Sequence, residues 1–273
     1  MNVRTLLFVP GNRPDRFDKA MASGADGIVI DLEDAVAPQD KLQAREAASA
    51  WLRNATAASG PLRLLRVNAR GTEWFNGDVA AMWDASPQGI MLPKCEEPSD
   101  LLSLPDIGVW PVIESARGIH NAVAIAGAAR VQCLSFGSLD LQADLRMQAD
   151  DDESELVPYR AQVVLASRLA NLPAPIDGVT PEIDDLEVLA KATRRGMRQG
   201  FGGKLCIHPR QIPVVHAAMH PGEAAVAHAR RVLEAAASSG GAAVAMDGMM
   251  IDKPVILRAQ AVIARVEGTT NRS

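Results

Sequence analysis

Residues 27–36 read GIVIDLEDAV, a short β-branched run that passes directly into acidic residues. Such a run predicts a strand, and the segment that follows it, residues 40–53, has the period of a helix. The same alternation of strand and helix extends along the chain. Eight apolar runs separated by helical segments carry it: RTLLFVPG, GIVIDLEDAV, LRLLRVNA, GIMLPK, GVWPVIES, VQCLSFGSLDL, PIDGV and GGKLCIHP.

Strands that are separated by helices pair in parallel, and eight such units close into a barrel more readily than into an open sheet. The length of 273 residues is close to the roughly 250 of a typical barrel enzyme. We therefore predict an α/β fold, a TIM (β/α)₈ barrel, over residues 1–240, with a doubly wound sheet as the alternative. Residues 241–273 predict a hairpin and a helix started by Pro254, forming a lid or oligomerisation extension of the same domain.

Composition argues against several classes of partner. The chain has 28 basic and 33 acidic residues, a formal charge of −5, and no basic run interleaved with aromatics, so nucleic acid is not expected. No apolar segment approaches the ~18 residues of a membrane helix, and the N-terminus lacks the apolar core of a signal peptide. We therefore expect a soluble, cytoplasmic protein with no membrane partner. Cys95, Cys133 and Cys206 fit neither a disulfide framework nor a zinc pattern, and we expect buried, reduced thiols.

Polar residues gather at the ends of the predicted strands, where barrel enzymes carry their chemistry. They are Asp31, Glu33, Asp34, Arg66, Asn68, Lys94, Glu114, Asp140 and His208. A satisfied ion pair inside the barrel explains any one of them alone, and it is the favoured explanation for Lys94 and His208. The cluster as a whole indicates a functional site.

Two of these carboxylates, Glu114 and Asp140, end consecutive strands and have no His or Cys at a suitable spacing. Ligation by oxygen alone suits Mg²⁺ or Mn²⁺ and disfavours zinc. Because Mg²⁺ keeps several waters and takes ligands from its substrate, two carboxylates suffice if a 2-hydroxy or 2-oxo acid chelates the rest. Glu33 and Asp34 either hold metal-bound waters in place or pair with Lys94 and Arg66, and the pattern favours neither.

Motifs in a fixed order along nearly the whole chain resemble those of a known family. They are RTLLFVPGNRPDRFDKA, GADGIVIDLEDAV, RVN, IMLPK, PVIESARG, SFGSLDL and GKLCIHPRQI. Together they resemble the citrate lyase β-subunit-like branch of the HpcH/HpaI aldolase superfamily, which includes malyl-CoA and citramalyl-CoA lyases. The resemblance implies a (β/α)₈ barrel, Mg²⁺ on Glu114 and Asp140, and substrate contacts from Arg66 and Glu114. It also implies an acyl-CoA substrate and a homotrimer or homohexamer.

The resemblance extends to a proton-transfer residue and to CoA contacts. In lyases of this group a C-terminal aspartate that reaches a neighbouring subunit is associated with proton exchange on the acetyl carbon. Asp252, in GMMIDKP, occupies the matching position, and Asp247 is the second choice. CoA runs across the barrel mouth in this family, which makes Lys19 and Lys41 candidate phosphate contacts, with solvated surface lysines as the favoured explanation.

Two departures from the family's pattern bear on substrate preference. Leu139 stands where relatives often have a polar residue, and LRMQADDDESE, residues 145–155, replaces a more glycine-rich loop. The acidic run within it, residues 150–155, is expected to be a solvated loop after the sixth strand.

The sequence thus predicts a Mg²⁺-dependent carbon–carbon lyase that cleaves a 3-hydroxyacyl-CoA of the malyl-CoA or citramalyl-CoA type to acetyl-CoA and a 2-oxo acid, or runs the reverse condensation. Arg66 would stabilise the enolate and Asp252 would protonate it. Three alternatives stay open. They are a malyl-CoA thioesterase that uses the same metal site, a CoA-free class II aldolase acting on 4-hydroxy-2-oxo acids, and a citrate lyase β-subunit that is inert outside its complex.

Overall fold

The eight predicted strands are present and form one closed parallel barrel in the computed structural model, which describes residues 3–54, 60–238, 244–246 and 248–270. The strands are β1 Thr5–Pro10, β2 Gly27–Asp31, β3 Leu62–Arg66, β4 Gly89–Leu92, β5 Val109–Ile113, β6 Ser135–Phe136, β7 Ile176–Asp177 and β8 Gly203–Cys206. Each strand pairs with the next in sequence, and β1 closes the ring on β8 with Thr5 opposite Lys204. The predicted TIM barrel is confirmed, and the doubly wound alternative is wrong.

Helices connect the strands. They are α1 Phe17–Met21, α2 Lys41–Asn54, α3 Phe75–Ala85, α4 Ala116–His120, α5 Ala122–Ala126, α6 Ser138–Leu145, α7 Val157–Leu169, α8 Leu186–Gln199 and α9 Gln211–Met219. The helix predicted from Pro98 is only a short 3₁₀ turn, Pro98–Leu101, which Glu97 and Asp100 close as a reciprocal capping box. Conversely, the run that predicts β6, residues 131–141, contains the start of α6, so Asp140 lies in the first turn of this helix and not at the end of a strand.

The barrel interior is filled by apolar side chains from successive segments, which are Leu6, Val29, Leu64, Met91, Val112, Cys133, Ile176 and Leu205. All five residues of β2 are buried because one face of the strand points into the barrel and the other lies under helices. Cys95, Cys133 and Cys206 are buried and free, as expected. Burial raises the pKa of each thiol to about 12, so the thiols stay protonated.

The strand register sets which charged residues meet at the barrel's carboxyl end. Asp31, the last residue of β2, lies opposite Arg66, the last residue of β3. Asp177, the last residue of β7, lies opposite Lys204 of β8. The parallel register therefore brings opposite charges side by side at two places around the ring, at the ends of both strands for Asp31 and Arg66 and within β8 for Lys204.

Contacts along the chain divide it into two compact units, Met1–His216 and Ala217–Ser273. In the second unit, α10 Glu223–Ser238 and α11 Lys253–Thr270 share an apolar core with the antiparallel hairpin of β9 Val244–Met246 and β10 Met249–Ile251. The predicted hairpin and terminal helix are therefore present. The division at residue 240 and the role as a lid or oligomerisation extension stay predictions. Among the described helices, none has the length and apolarity needed to cross a membrane.

Candidate active site

A cavity of about 360 Å³ lies where the barrel strands end. Five of the predicted strand-end residues line it: Asp31, Asp34, Arg66, Glu114 and Asp140. The remaining lining is mostly apolar, with Phe8, Pro10, Ala35, Val112, Phe136, Gly137, Ser138, Leu139, Val179, Leu205 and Ile207. A concave apolar site with a few converging charged groups has the form of a small-molecule site.

Arg66 is held in one orientation from several sides. Its Nε and Nη2 each donate a 2.7 Å hydrogen bond to Asp31, and its Nη1 lies 2.9 Å from Glu33. The Phe8 ring centroid lies 4.6 Å from the guanidinium carbon. Burial opposes the charge, but the Asp31 carboxylate outweighs burial and raises the pKa of Arg66 above its ordinary value. Arg66 is therefore a permanent, fixed cation at the pocket wall.

Glu114 and Asp140 form the second charged feature of the pocket. Glu114 follows β5 and is only 4% exposed, whereas Asp140 is half-buried in the first turn of α6. Burial, followed by the like charges of Asp140 and Glu33, raises the pKa of Glu114 to about 8. A buried carboxylate whose ionisation is opposed by a neighbouring negative charge is the electrostatic setting that a divalent cation relieves.

The backbone around Glu114 is shaped to hold its carboxylate in place. Its Oε1 accepts a 2.7 Å hydrogen bond from the backbone N–H of Lys94, whose φ of 48° is unusual for a residue with a side chain. A Cβ at Gly137 would overlap Oε2 and Cβ of Glu114, so only glycine leaves room there. The local backbone therefore keeps Glu114 in position beside α6.

These residues fit a magnesium ion. Within the part of the chain that the structure describes, no group of three or more His, Cys, Asp and Glu side chains is arranged to hold a metal. Glu114 and Asp140, which line the same cavity, offer only carboxylate oxygens, and two such ligands leave the other coordination positions of an ion to water or substrate. This is the way in which Mg²⁺ is commonly bound. Their assignment as metal ligands stays a prediction.

Glu33 lies close to both of the cations predicted as its partners, whereas Asp34 lies close to Arg66 alone among the ion pairs of the described residues. Arg66 Nη1 is 2.9 Å from Glu33 and 3.6 Å from Asp34, and Lys94 Nζ is 3.4 Å from Glu33. Burial raises the pKa of Glu33 to about 7, against the opposing charge of Arg66. Ion pairing is thus the arrangement in the structure, and a role in holding metal-bound water stays a prediction.

Lys41 lies elsewhere than expected. It is buried, and its Nζ donates hydrogen bonds of 2.7 and 2.8 Å to the carbonyl oxygens of Leu32 and Glu33. The Trp74 ring centroid lies 5.2 Å from the same nitrogen. The expectations of a surface lysine or a phosphate contact are therefore wrong for Lys41, which fastens the loop after β2. Lys19 is exposed, as a surface lysine should be.

Two other strand-end residues have structural partners. Asn68 donates from its backbone N–H and its Nδ2 to Asp78, at 2.9 and 2.7 Å, and Arg45 donates to the same carboxylate at 2.7 Å. His208 is half-buried, and its Nδ1 accepts a 3.2 Å hydrogen bond from the backbone N–H of Arg210. Neither side chain is among those that line the cavity.

A buried ionic cluster beside β7 was missed by the sequence reasoning. Arg160 Nε donates to Asp177 at 3.0 Å, and Lys204 Nζ lies 3.6 Å from the same carboxylate. Glu153 pairs with Arg160 and, at 2.7 Å, with Arg195. The expectation of a solvated acidic loop is therefore wrong for Glu153, because α7, the next helix, and α8, farther along the chain, supply cations that pair with it.

Asp252 belongs to the second unit, where it follows β10. Its Oδ1 accepts a 3.3 Å hydrogen bond from the backbone N–H of Val255, and its backbone oxygen accepts one from Ile256 at 3.0 Å. These contacts cap the start of α11. Its role in proton transfer stays a prediction. Asp247, the second choice for that role, lies outside the described residues.

The comparison with known families agrees with the barrel and with the motifs at its carboxyl end. The model of the HpcH/HpaI aldolase/citrate lyase family matches residues 4–209. The chain belongs to this family. The resemblance drawn from the sequence motifs is thereby confirmed, and the family is one of enzymes.

Relatives within the family match the chain almost end to end. A citrate lyase subunit beta-like protein of Mycobacterium tuberculosis is 35% identical over 279 residues, covering 99% of this chain and 100% of the relative. A (3S)-malyl-CoA thioesterase of Cereibacter sphaeroides is 31% identical over 271 residues, covering 97% and 94%. The crystal structure of the M. tuberculosis protein CitE in complex with magnesium, acetoacetate and coenzyme A matches with a TM-score of 0.86 at 35% identity, covering 97% and 98%.

Proposed function

We propose that this protein is a Mg²⁺-dependent carbon–carbon lyase that cleaves a 3-hydroxyacyl-CoA of the malyl-CoA or citramalyl-CoA type to acetyl-CoA and a 2-oxo acid, or runs the reverse condensation. The proposal is carried by one observation: a fixed cation, Arg66, and a carboxylate pair, Glu114 and Asp140, line the same strand-end cavity. It is supported by the CitE structure, in which magnesium, a small oxo acid and coenzyme A occur together.

In this scheme Glu114 and Asp140 hold the ion beside the substrate's carboxylate and hydroxyl groups. When bound there, Mg²⁺ supplies Lewis acidity that stabilises negative charge on substrate oxygens. As the carbon–carbon bond breaks, the hydroxyl proton passes to solvent water and the oxygen forms the carbonyl of the 2-oxo acid. The electrons of the broken bond move into the thioester and give the enolate of acetyl-CoA. Arg66, a fixed cation that lines the cavity, would stabilise the enolate oxygen, a preorganised contact of the kind whose removal slows catalysis about 10²- to 10³-fold. Asp252 is the proposed donor of the proton that completes the acetyl methyl group.

The test is a product analysis with charge-removing variants. Malyl-CoA and citramalyl-CoA are incubated with the protein and Mg²⁺, and the products are identified by mass spectrometry. We expect acetyl-CoA with glyoxylate or pyruvate from the native protein, and loss of turnover in Glu114→Gln and Asp140→Asn. Glu46→Gln, at an exposed position on α2, is the matched control and should retain activity. Full activity in EDTA would contradict the scheme.

A thioesterase is the second candidate, favoured by the relative named (3S)-malyl-CoA thioesterase. The same carboxylates and Arg66 would serve a reaction in which water attacks the thioester carbonyl instead of the carbon–carbon bond breaking. Malate and free CoA would then replace acetyl-CoA and glyoxylate. The mass spectrum of the products therefore separates the two candidates directly.

We also propose that the chain is active by itself as a homotrimer or homohexamer, rather than as a subunit that is inert outside a citrate lyase complex. The relative named citrate lyase subunit beta-like protein is the observation that favours a complex subunit. Gel filtration with light scattering gives the assembly size, and an activity assay on the same fraction tests autonomy. An inert oligomer would favour the complex subunit.

A further inference from the structure

The two sides of the cavity differ in chemistry. Its charged lining residues come from β2, β3 and β5 and from the start of α6. The lining residues in β1 and β8 and directly after β7 and β8 are all apolar, and they are Phe8, Pro10, Val179, Leu205 and Ile207. Because β7, β8 and β1 are consecutive in the closed ring, these side chains form one apolar wall of the cavity, and Phe8 at its edge lies against Arg66.

Leu139 extends this wall up to the proposed metal site. It lines the same cavity as Asp140, its neighbour in the first turn of α6, so both residues border a ligand that occupies the cavity. Leu139 is 48% exposed and Ile207 is 37% exposed. When a ligand covers large aliphatic side chains in a concave site, apolar surface is removed from water and binding becomes more favourable. We call Leu139, Val179 and Ile207 the apolar wall.

We infer that the apolar wall selects the substituent on the hydroxyl-bearing carbon of the substrate, favouring an alkyl group over hydrogen or a second carboxylate. This inference rests on the proposed function. The charged side takes the substrate's own carboxylate and hydroxyl, which leaves the remaining substituent of that carbon to face the wall. An alkyl group there is buried against aliphatic carbon, whereas a second carboxylate would lose water beside side chains that offer no hydrogen bond.

The experiment compares thioesters that differ only in this substituent. The kcat/KM of the native protein with Mg²⁺ is measured for hydrogen (malyl-CoA), methyl (citramalyl-CoA), ethyl and carboxymethyl (citryl-CoA) substituents. We expect methyl to exceed hydrogen by roughly 4- to 10-fold, from the burial of one methyl group, and carboxymethyl to fall below hydrogen. Calorimetric binding of the corresponding free 2-oxo acids with Mg²⁺ gives the same ranking without requiring cleavage.

Variants then assign the preference to the wall. Leu139→Ser and Ile207→Ser should each bring the methyl-to-hydrogen ratio towards one, and the second variant lies outside α6 and so leaves Asp140 undisturbed. Leu139→Met keeps an apolar side chain of similar volume and should keep the ratio. Leu165→Ser, at a 56% exposed position on α7 away from the cavity lining, is the matched control and should leave all rates unchanged.

The outcomes separate this inference from the proposed function. Cleavage of all thioesters without an alkyl preference overturns the inference and leaves the function standing. An equal loss for every thioester in both serine variants also overturns it, because the wall would then contact the common CoA arm. If no thioester is cleaved but 2-oxo acids bind in the expected order, the wall is supported and the lyase proposal fails.

Discussion

Replacing Asp31 with asparagine removes the charge that orients Arg66. The Asp31 side chain is 1% exposed and accepts four hydrogen bonds, two at 2.7 Å from Arg66 and one each from the backbone N–H groups of Glu33, at 2.8 Å, and Ala35, at 3.1 Å. Each Asp31 oxygen accepts one bond from Arg66 and one from a backbone N–H, whereas asparagine has a single acceptor oxygen and an amide group that only donates. One Arg66 bond and one backbone bond are therefore lost, and the guanidinium is left with less negative charge beside it.

The size of the effect follows from burial. Breaking a buried ion pair by removing one charge destabilises a protein by about 3–5 kcal/mol. Glu33, 2.9 Å from Arg66 Nη1, continues to neutralise part of the charge, so we expect the lower limit, about 3 kcal/mol. For a unit of this size that corresponds to a decrease of roughly 6–12 °C in Tm. Turnover should fall about 10²-fold or more, since Arg66 is no longer preorganised.

The assay is thermal and urea unfolding followed by circular dichroism, together with kcat for thioester cleavage. Asp34→Asn is the matched control, because this carboxylate lies on the same loop and near the same arginine but is 58% exposed and 3.6 Å away. A solvent-exposed ion pair contributes about 0–1 kcal/mol. Equal effects of the two substitutions, or a stable and fully active Asp31→Asn, would refute the reasoning.

Three further changes test other parts of the structure. Because the pKa of Glu114 is raised to about 8, Mg²⁺ must displace a proton from this carboxyl group below that pH. The apparent affinity for Mg²⁺ should therefore fall about tenfold for each pH unit below 8, and a pH-independent affinity would exclude Glu114 as a ligand. Lys41→Met should lower unfolding stability by about 2–4 kcal/mol by leaving two buried carbonyls without their donor, whereas Lys19→Met should change little. Burial would raise the pKa of Asp26, but the hydrogen bonds from His216 and Arg4 outweigh it and lower that pKa. The native protein should therefore be more stable than Asp26→Asn above about pH 4, and this difference should vanish as the pH falls further. A stability difference that persists in acid would contradict this.

Local sequence patterns were sufficient to predict the barrel and the identity of most charged residues in its cavity. Alternation of β-branched runs with helical segments is a property of neighbouring residues, so the eight strands could be located without knowing what they contact. The carboxylates of Glu114 and Asp140 follow two such strands, and the barrel rule brings strand ends to one edge. The prediction from local sequence was wrong at α6, because this helix begins two residues after the end of β6 and the same apolar run of sequence covers both.

The tertiary structure alone decided which partners these residues have. Asp31 meets Arg66 because the register of β2 on β3 places them side by side, and no local pattern encodes that register. Lys41 is buried because the loop after β2 folds back over it, although its sequence neighbours resemble those of a surface helix. The apolar wall exists only because the barrel sets the segments that follow β6, β7 and β8 side by side around the cavity. Residue type and periodicity are local, whereas charge pairing, burial and cavity shape depend on contacts between segments far apart in the chain.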